Sequence, residues 1–271
     1  MAYKRMTLNG RKMTPSTQRV DYNLIAHLYD EPGRDYDTDP NLIKFLEERA
    51  DQPLSHIRIL DMGCGTGKQL SANRIKYPEL HIVGLDLFHG MLLQANKRCA
   101  DVNWVQGDNT DPPFTDGSFD YITNQFSYHH VRNKSKMIAE VYRILKPGGR
   151  FAITNLDPWS MPGWIIYTCF PASKQRDFED FLPLDTITLL MRKAGFTNIQ
   201  FRRQLNHREE RLDEFLEYAS QRYRTSQLVA IPNKDYEDGI AGLKARVASQ
   251  GVHSCVASEI CLIWVTGDKP K

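Results

Sequence analysis

Short apolar runs alternate with amphipathic stretches from residue 57 to about residue 154. The runs at 57–60, 81–85 (HIVGL), 103–105, 121–123 and 150–154 predict strands. Helices are predicted between them: 68–76 ahead of Pro78, 90–99, and 133–145, stopped by Lys146-Pro147-Gly148-Gly149. Upstream, Val20, Leu24, His27 and Leu28 recur at helical spacing within 16–29. Asp39 followed by Pro40 supplies a cap and a first helical position for a helix to about residue 50. Strands alternating with helices imply βαβ units with right-handed crossovers. After Leu156 the rhythm breaks. Residues 157–184 hold Trp159, Trp164, Tyr167, Phe170, Phe178 and Phe181 among four prolines. A helix at 186–194, a strand at 196–203, helices at 211–223 and 236–249, and a strand at 260–265 complete the pattern. The expected fold is α/β: a doubly wound, seven-stranded, mostly parallel sheet with an α-helical lid insertion.

Composition leaves this picture intact. The 271 residues are 41% hydrophobic and 25% charged, with 17 Gly and 14 Pro. This excludes a fibrous, collagen-like or wholly disordered chain. Neither a signal peptide nor an apolar run of membrane-spanning length is expected. The five cysteines are scattered without a CxxC pair. They read as reduced thiols in a cytoplasmic protein. No metal-ligand constellation is visible, so no metal is expected. A formal charge of +2 argues neither for nor against nucleic acid. The first twenty residues carry Lys4, Arg5, Arg11, Lys12 and Arg19 and no acid, which reads as a solvated basic tail.

The sharpest motif follows the first strand: Asp61-Met62-Gly63-Cys64-Gly65-Thr66-Gly67. Glycines at spacing two let the backbone turn tightly and approach a ligand closely. A phosphate-binding P-loop is excluded because Gln69 follows Gly67-Lys68 and Met62 stands where the first glycine belongs. A GxGxxG dinucleotide fingerprint is excluded because its sixth position is Lys68. What remains is D-x-G-x-G-x-G. Asp86 closes the second strand, where a carboxylate can accept two hydroxyls at once.

Four blocks in order, ILDMGCGTG (59–67), VGLDLFHGMLLQ (83–94), VQGDNTDPPFTDGSFDY (105–121) and ILKPGGR (144–150), resemble the class I S-adenosylmethionine-dependent methyltransferases. The sequence is similar to their type 11 group, which includes the ubiquinone and menaquinone C-methyltransferases. The resemblance covers residues 20–155 well. It implies a Rossmann-like methyltransferase fold with S-adenosyl-L-methionine as cofactor, bound by residues 51–156. Residues 1–50 would form a basic tail and helical cover; 157–271 would form a helical lid and closing strands. Asp86 would accept from the ribose hydroxyls, Leu87 and Met91 would pack near the adenosine, and Asp61 would face the methionine ammonium. Among Gly107, Asp108 and Asn109, Asp108 would accept from the adenine amine. Gly63, Cys64, Gly65, Thr66 and Gly67 would form the close-approach loop.

Ligands of open α/β sheets sit beyond the carboxyl ends of the strands, which places Asn124, Gln125, Phe126, Ser127 and Tyr128 in the site. His129 and His130 follow. One of them is a candidate general base; a wall or helix-start role is the alternative. In similar proteins a Tyr-Asp on the N-terminal segment folds over the cofactor, which suggests Tyr22, Tyr29 and Asp30; amphipathic packing is the bland alternative. Tyr22, Trp159 and Trp164 are candidate acceptor contacts; for the tryptophans a satellite core is the alternative. Asp111-Pro112-Pro113-Phe114 imitates the motif of nucleobase amine methyltransferases. It precedes the fourth strand instead of following it, and reads as loop chemistry.

The expected reaction is in-line methyl transfer to a small-molecule acceptor. An RNA or protein acceptor, suggested by Arg202, Arg203, Arg208 and Arg211, is the alternative; a non-catalytic cofactor-binding protein is another. Those arginines alternate with Glu209, Glu210, Asp213 and Glu214, the pattern of a solvated face, so no nucleic-acid partner is expected.

Overall fold

The computed structural model describes residues 20–29 and 37–271. The basic tail up to Arg19, and Asp30, lie outside the described residues. The elements in chain order are α1 (Tyr22–Ile25), α2 (Pro40–Glu47), β1 (Arg58–Met62), α3 (Lys68–Lys76), β2 (His81–Asp86), α4 (His89–Arg98), β3 (Asn103–Gln106), β4 (Phe119–Gln125), α5 (Lys134–Ile144), β5 (Leu145–Leu156), α6 (Ile165–Cys169), α7 (Pro171–Asp180), α8 (Leu184–Ala194), β6 (Thr197–Arg211), α9 (Leu212–Ser220), α10 (Ser226–Val229), α11 (Asn233–Gln250) and β7 (Cys255–Asp268).

The seven strands form one sheet in the order β3-β2-β1-β4-β5-β7-β6. The five strands from β3 to β5 are parallel; β7 runs antiparallel to both β5 and β6. Strands β1 and β2 are buried almost throughout, as parallel strands covered on both faces must be. One face packs α5 and α8 through Met137, Ile138, Val141, Ile187 and Met191. The other packs α2 and α3 through Leu42, Phe45 and Leu70. Local chemistry starts the flanking helices where expected. Asp39 Oδ1 accepts from Asn41 N–H at 2.9 Å with Pro40 at the first helical position. Asn133 Oδ1 accepts from Lys136 N–H at 3.0 Å. The strand order turns outward on both sides of β1 and β4, so the crevice lies between their carboxyl ends.

Several elements differ from the sequence reading; β5 and β7, for example, reach beyond the expected 150–154 and 260–265. The helix expected over 16–29 is, among the described residues, the four-residue α1 followed by turns. The strand expected at 196–203 runs on to Arg211, because β6 and β7 stay paired as far as Arg211↔Cys255. The helical material forms two insertions. α6 and α7 lie between β5 and α8; α9, α10 and α11 lie between β6 and β7. Both feed one apolar cluster containing Met161, Ile166, Phe170, Phe215, Leu228 and Leu243.

Candidate active site

The glycine bend opens the site. Gly63 and Cys64 N–H both donate to Leu85 O, at 2.7 and 3.0 Å, which ties the exit of β1 to the end of β2. Gly63 has φ 86, and a Cβ there would stand 2.1 Å from Ser127 Oγ. Only glycine meets both the torsion and the close approach. Gly65 has φ 54 and open space where a Cβ would be, so its bare backbone faces the cleft. Gly67 caps α3 and lies behind this face; it is absent from the lining.

Asp86 sits across the bend. Its Oδ2 accepts from Gly65 N–H at 2.9 Å and its Oδ1 from Phe88 N–H at 2.9 Å. Burial raises its pKa, while the Phe88 and Gly65 N–H groups work against that shift. Asp61, at 3% exposure, has its pKa pushed well up by burial, then by the nearby charges of Asp39 and Asp86. Burial, then the charges of Asp86 and Asp61, raise the Cys64 thiol well above its usual range.

The cleft spans about 990 Å³, counting the solvent-open space at its mouth, and is lined by Asp61, Gly63, Cys64, Gly65, Thr66, Asp86, Leu87, Met91, Asn109, Gln125, Tyr22, Tyr29 and His130 among the residues singled out from sequence. Gly107 lies outside it, donating to Asp86 O at 3.0 Å. Asp108 also lies outside: it is exposed and folds into a local turn, accepting from Thr110 N–H at 2.7 Å. Asn124 is fully buried behind the lining, where its amide donates to Ser127 Oγ at 2.6 Å and to Met62 O. Trp159 stacks on Phe178 at 5.3 Å and Trp164 meets Tyr167 edge-on at 5.0 Å; neither lines the cleft. The lining also includes Phe126 and Ser127 from the stretch expected after β4, whose Tyr128 is instead buried outside it, and Lys68, Gln69, Phe88 and Val131, which sequence reasoning did not select. Their signal was position alone, in the first turn of α3 or just beyond β2 and β4.

The two histidines part ways. His129 is buried behind the site, stacked on Phe181 at 4.1 Å. His130 reaches the cleft, and its Nε2 lies 2.9 Å from the Tyr22 hydroxyl. Burial, aided by the charge of Lys134, pushes the His130 pKa down to about 4, so the ring is neutral near pH 7. Burial, followed by the influence of Tyr29, holds the Tyr22 hydroxyl protonated well above its usual range. A hydroxyl that keeps its proton beside a neutral imidazole makes a donor–acceptor pair.

Among the described residues, three buried polar atoms of the lining lack a partner: Asp61 Oδ1, Asn109 Oδ1 and Gln125 Nε2. Buried polar atoms are normally satisfied, so two acceptors and one donor await a ligand here. That set fits a ligand carrying an ammonium, a carboxylate and an amine-bearing base, as S-adenosylmethionine does. Among the described residues no cluster of side chains suits a metal, and no helix is long and apolar enough to cross a membrane.

Comparison with known proteins agrees. Residues 60–153 match a methyltransferase domain family. A demethylmenaquinone methyltransferase of Clavibacter sepedonicus is 29% identical over 208 residues, covering 66% of this chain and 84% of that protein. Two solved structures share the fold. One is a putative methyltransferase from an antibiotic biosynthesis pathway of Anabaena variabilis: TM-score 0.64, 19% identity, 85% of this chain and 98% of that one. The other is phosphoethanolamine N-methyltransferase 2 of Haemonchus contortus with S-adenosyl-L-methionine: TM-score 0.58, 21% identity, 92% of this chain and 57% of that one.

Proposed function

We propose how this chain, a class I S-adenosylmethionine-dependent methyltransferase whose residues 60–153 belong to the type 11 methyltransferase domain family, uses its cleft: a small planar acceptor bearing an ionisable hydroxyl is methylated beside the Tyr22–His130 pair. The observation that carries this reading is the 2.9 Å approach of the Tyr22 hydroxyl to His130 Nε2 on the wall shared with Asp61 and Asp86.

The cofactor supplies a methyl group on a sulfonium, whose positive charge disperses as the new bond forms and the carbon–sulfur bond breaks. Asp61 offers its unpartnered oxygen to the ammonium end, Asp86 holds the ribose, and Gly65 lets the ligand lie against bare backbone. Asn109 and Gln125 complete the polar grip. His130, neutral at working pH, donates its Nε2–H to the Tyr22 oxygen, which orients the ring and leaves the Nδ1 lone pair to take the acceptor's proton. Holding the acceptor in line supplies much of the acceleration, on the order of 7–11 kcal/mol in well-aligned systems.

The aromatic rim of Tyr22, Tyr29, Phe88 and His130 supports a planar acceptor. The relative named demethylmenaquinone methyltransferase supports the same class. The insertions act as a cover: α10 brings Ser226 towards the Tyr22 hydroxyl, and Val229 and Ala230 pack on the cluster of Tyr22, Ala26, Phe88 and Met91. Trp159 and Trp164 then brace the cover instead of touching the acceptor. The partner is a small molecule and not a nucleic acid, and the unpaired cysteines favour the cytoplasm.

The test is formation of S-adenosylhomocysteine from S-adenosylmethionine and reduced demethylmenaquinone or a soluble naphthol. The wild type is expected to form it and His130→Ala to lose most of the rate. Equal rates would overturn the role of His130. No product from any planar hydroxylated acceptor would overturn the acceptor class.

A further inference from the structure

Phe126 is the least comfortable side chain in the cleft. Its φ is 51, a left-handed torsion that bulky residues avoid. Among the described residues the only other non-glycine with positive φ is Asn198, a type that tolerates it. Phe126 is also 38% exposed and joins none of the four apolar clusters.

The torsion is enforced from both sides. Phe126 N–H donates to Thr154 O at 2.9 Å, which fixes the peptide to β5. The next residue, Ser127, turns the other way: its Oγ donates to Met62 O at 3.0 Å and fills the space that Gly63 leaves open. Between these anchors residue 126 must adopt the left-handed form. Glycine would adopt it freely and would expose no ring to water. A phenylalanine there opposes stability twice, by torsion and by exposed apolar area. Strain of this kind persists at ligand clamps and active sites. Phe126 lines the cleft beside Gln125 and Ser127, on the same lining as His130.

We propose that the Phe126 ring is the stacking face for the planar acceptor, and so determines which acceptors this methyltransferase takes. The proposal rests on the methyltransferase reading and assigns the acceptor side of that site. An acceptor presenting an aromatic face gains from covering the ring, and burial of the exposed apolar area is the driving force. A linear, fully polar acceptor gains nothing from it.

The test compares wild type with Phe126→Gly by calorimetry, using S-adenosylhomocysteine and 2-naphthol as probes, the latter with and without the former. The wild type is expected to bind 2-naphthol and Phe126→Gly to bind it at least tenfold more weakly. The affinity for S-adenosylhomocysteine should stay within twofold, and the variant should melt at the same temperature or a few degrees higher. Equal 2-naphthol affinity in both proteins, or no binding by the wild type, overturns the proposal. So does a parallel loss of S-adenosylhomocysteine affinity, which would make the ring a cofactor wall. Wild type that binds 2-naphthol but not S-adenosylhomocysteine leaves the aromatic site standing and sinks the underlying methyltransferase reading.

Discussion

The N–H of Gly65 donates to Asp86 Oδ2 at 2.9 Å, so the glycine bend and the acid that closes β2 form one unit. Asp86→Ala removes two jobs together. Affinity for S-adenosylhomocysteine, read by calorimetry, should fall at least tenfold. The Gly65 and Phe88 N–H groups lose their acceptor, which should lower stability in denaturant by about 1–3 kcal/mol.

Gly63→Ala should destabilise the protein by roughly 1–3 kcal/mol, through the left-handed torsion and the clash with Ser127 Oγ. The double variant Gly63→Ala with Ser127→Gly removes the clash and leaves the torsion. Because Ser127→Gly also loses the hydrogen bonds of its Oγ, the comparison is with Ser127→Gly alone: in that background Gly63→Ala should lower the melting temperature less than it does in the wild type, and an equal drop would mean that the torsion alone sets the cost.

His130→Ala should cut kcat by on the order of 10²–10⁴ while leaving S-adenosylhomocysteine affinity unchanged. Because the His130 pKa is lowered to about 4, the base form prevails above that value. The pH profile of kcat should therefore be flat through the normal histidine range and fall only on approach to pH 4. Tyr22→Phe leaves His130 Nε2 without its hydroxyl partner and should lower kcat less than His130→Ala does.

Asp177, at 5% exposure, gives a stability signature of its own. Burial raises its pKa to about 7, although it accepts from the Tyr167 hydroxyl at 2.6 Å and from Gln227 Nε2 at 3.3 Å. A carboxyl whose pKa is higher in the folded than in the unfolded chain holds its proton better when folded. Stability should therefore fall as pH rises from about 4 to about 7, by at most ~4 kcal/mol, and level off above. Asp177→Asn should flatten that window in denaturation at several pH values. An unchanged slope would assign the proton uptake elsewhere.

The core was legible from sequence because its signals are local. Asp86 follows from a short apolar run ending in an acid beyond a glycine bend, and parallel strands leave no doubt about which end carries ligands. The last part of β6, Asn206–Arg211 in the register with Ile260–Cys255, was not legible. It is an edge strand with little buried surface on either face, so its residues carry no alternation; backbone pairing to β7 holds it. His129 and His130 are adjacent, and only the turn after β4 decides which ring faces the cleft. The Tyr22–His130 contact joins residues 108 apart, beyond any local pattern. Asp108 obeyed the strand-end rule yet turned to solvent, because Thr110 offered its side chain a nearer partner.

The antiparallel edge sets an order of assembly. β7 lies between β5 and β6 in space but follows both in the chain. Until it is synthesised, β5 presents an open hydrogen-bonding edge and β6 has nothing to pair with. Arg150 then binds Asp268 through two nitrogens, and Lys269 Nζ donates to the carbonyls of Tyr142 and Leu145 at 2.7 and 2.8 Å. The growing polypeptide therefore carries a sticky seam until its seventh strand emerges, and a chaperone that shields β5 would be most useful in that interval.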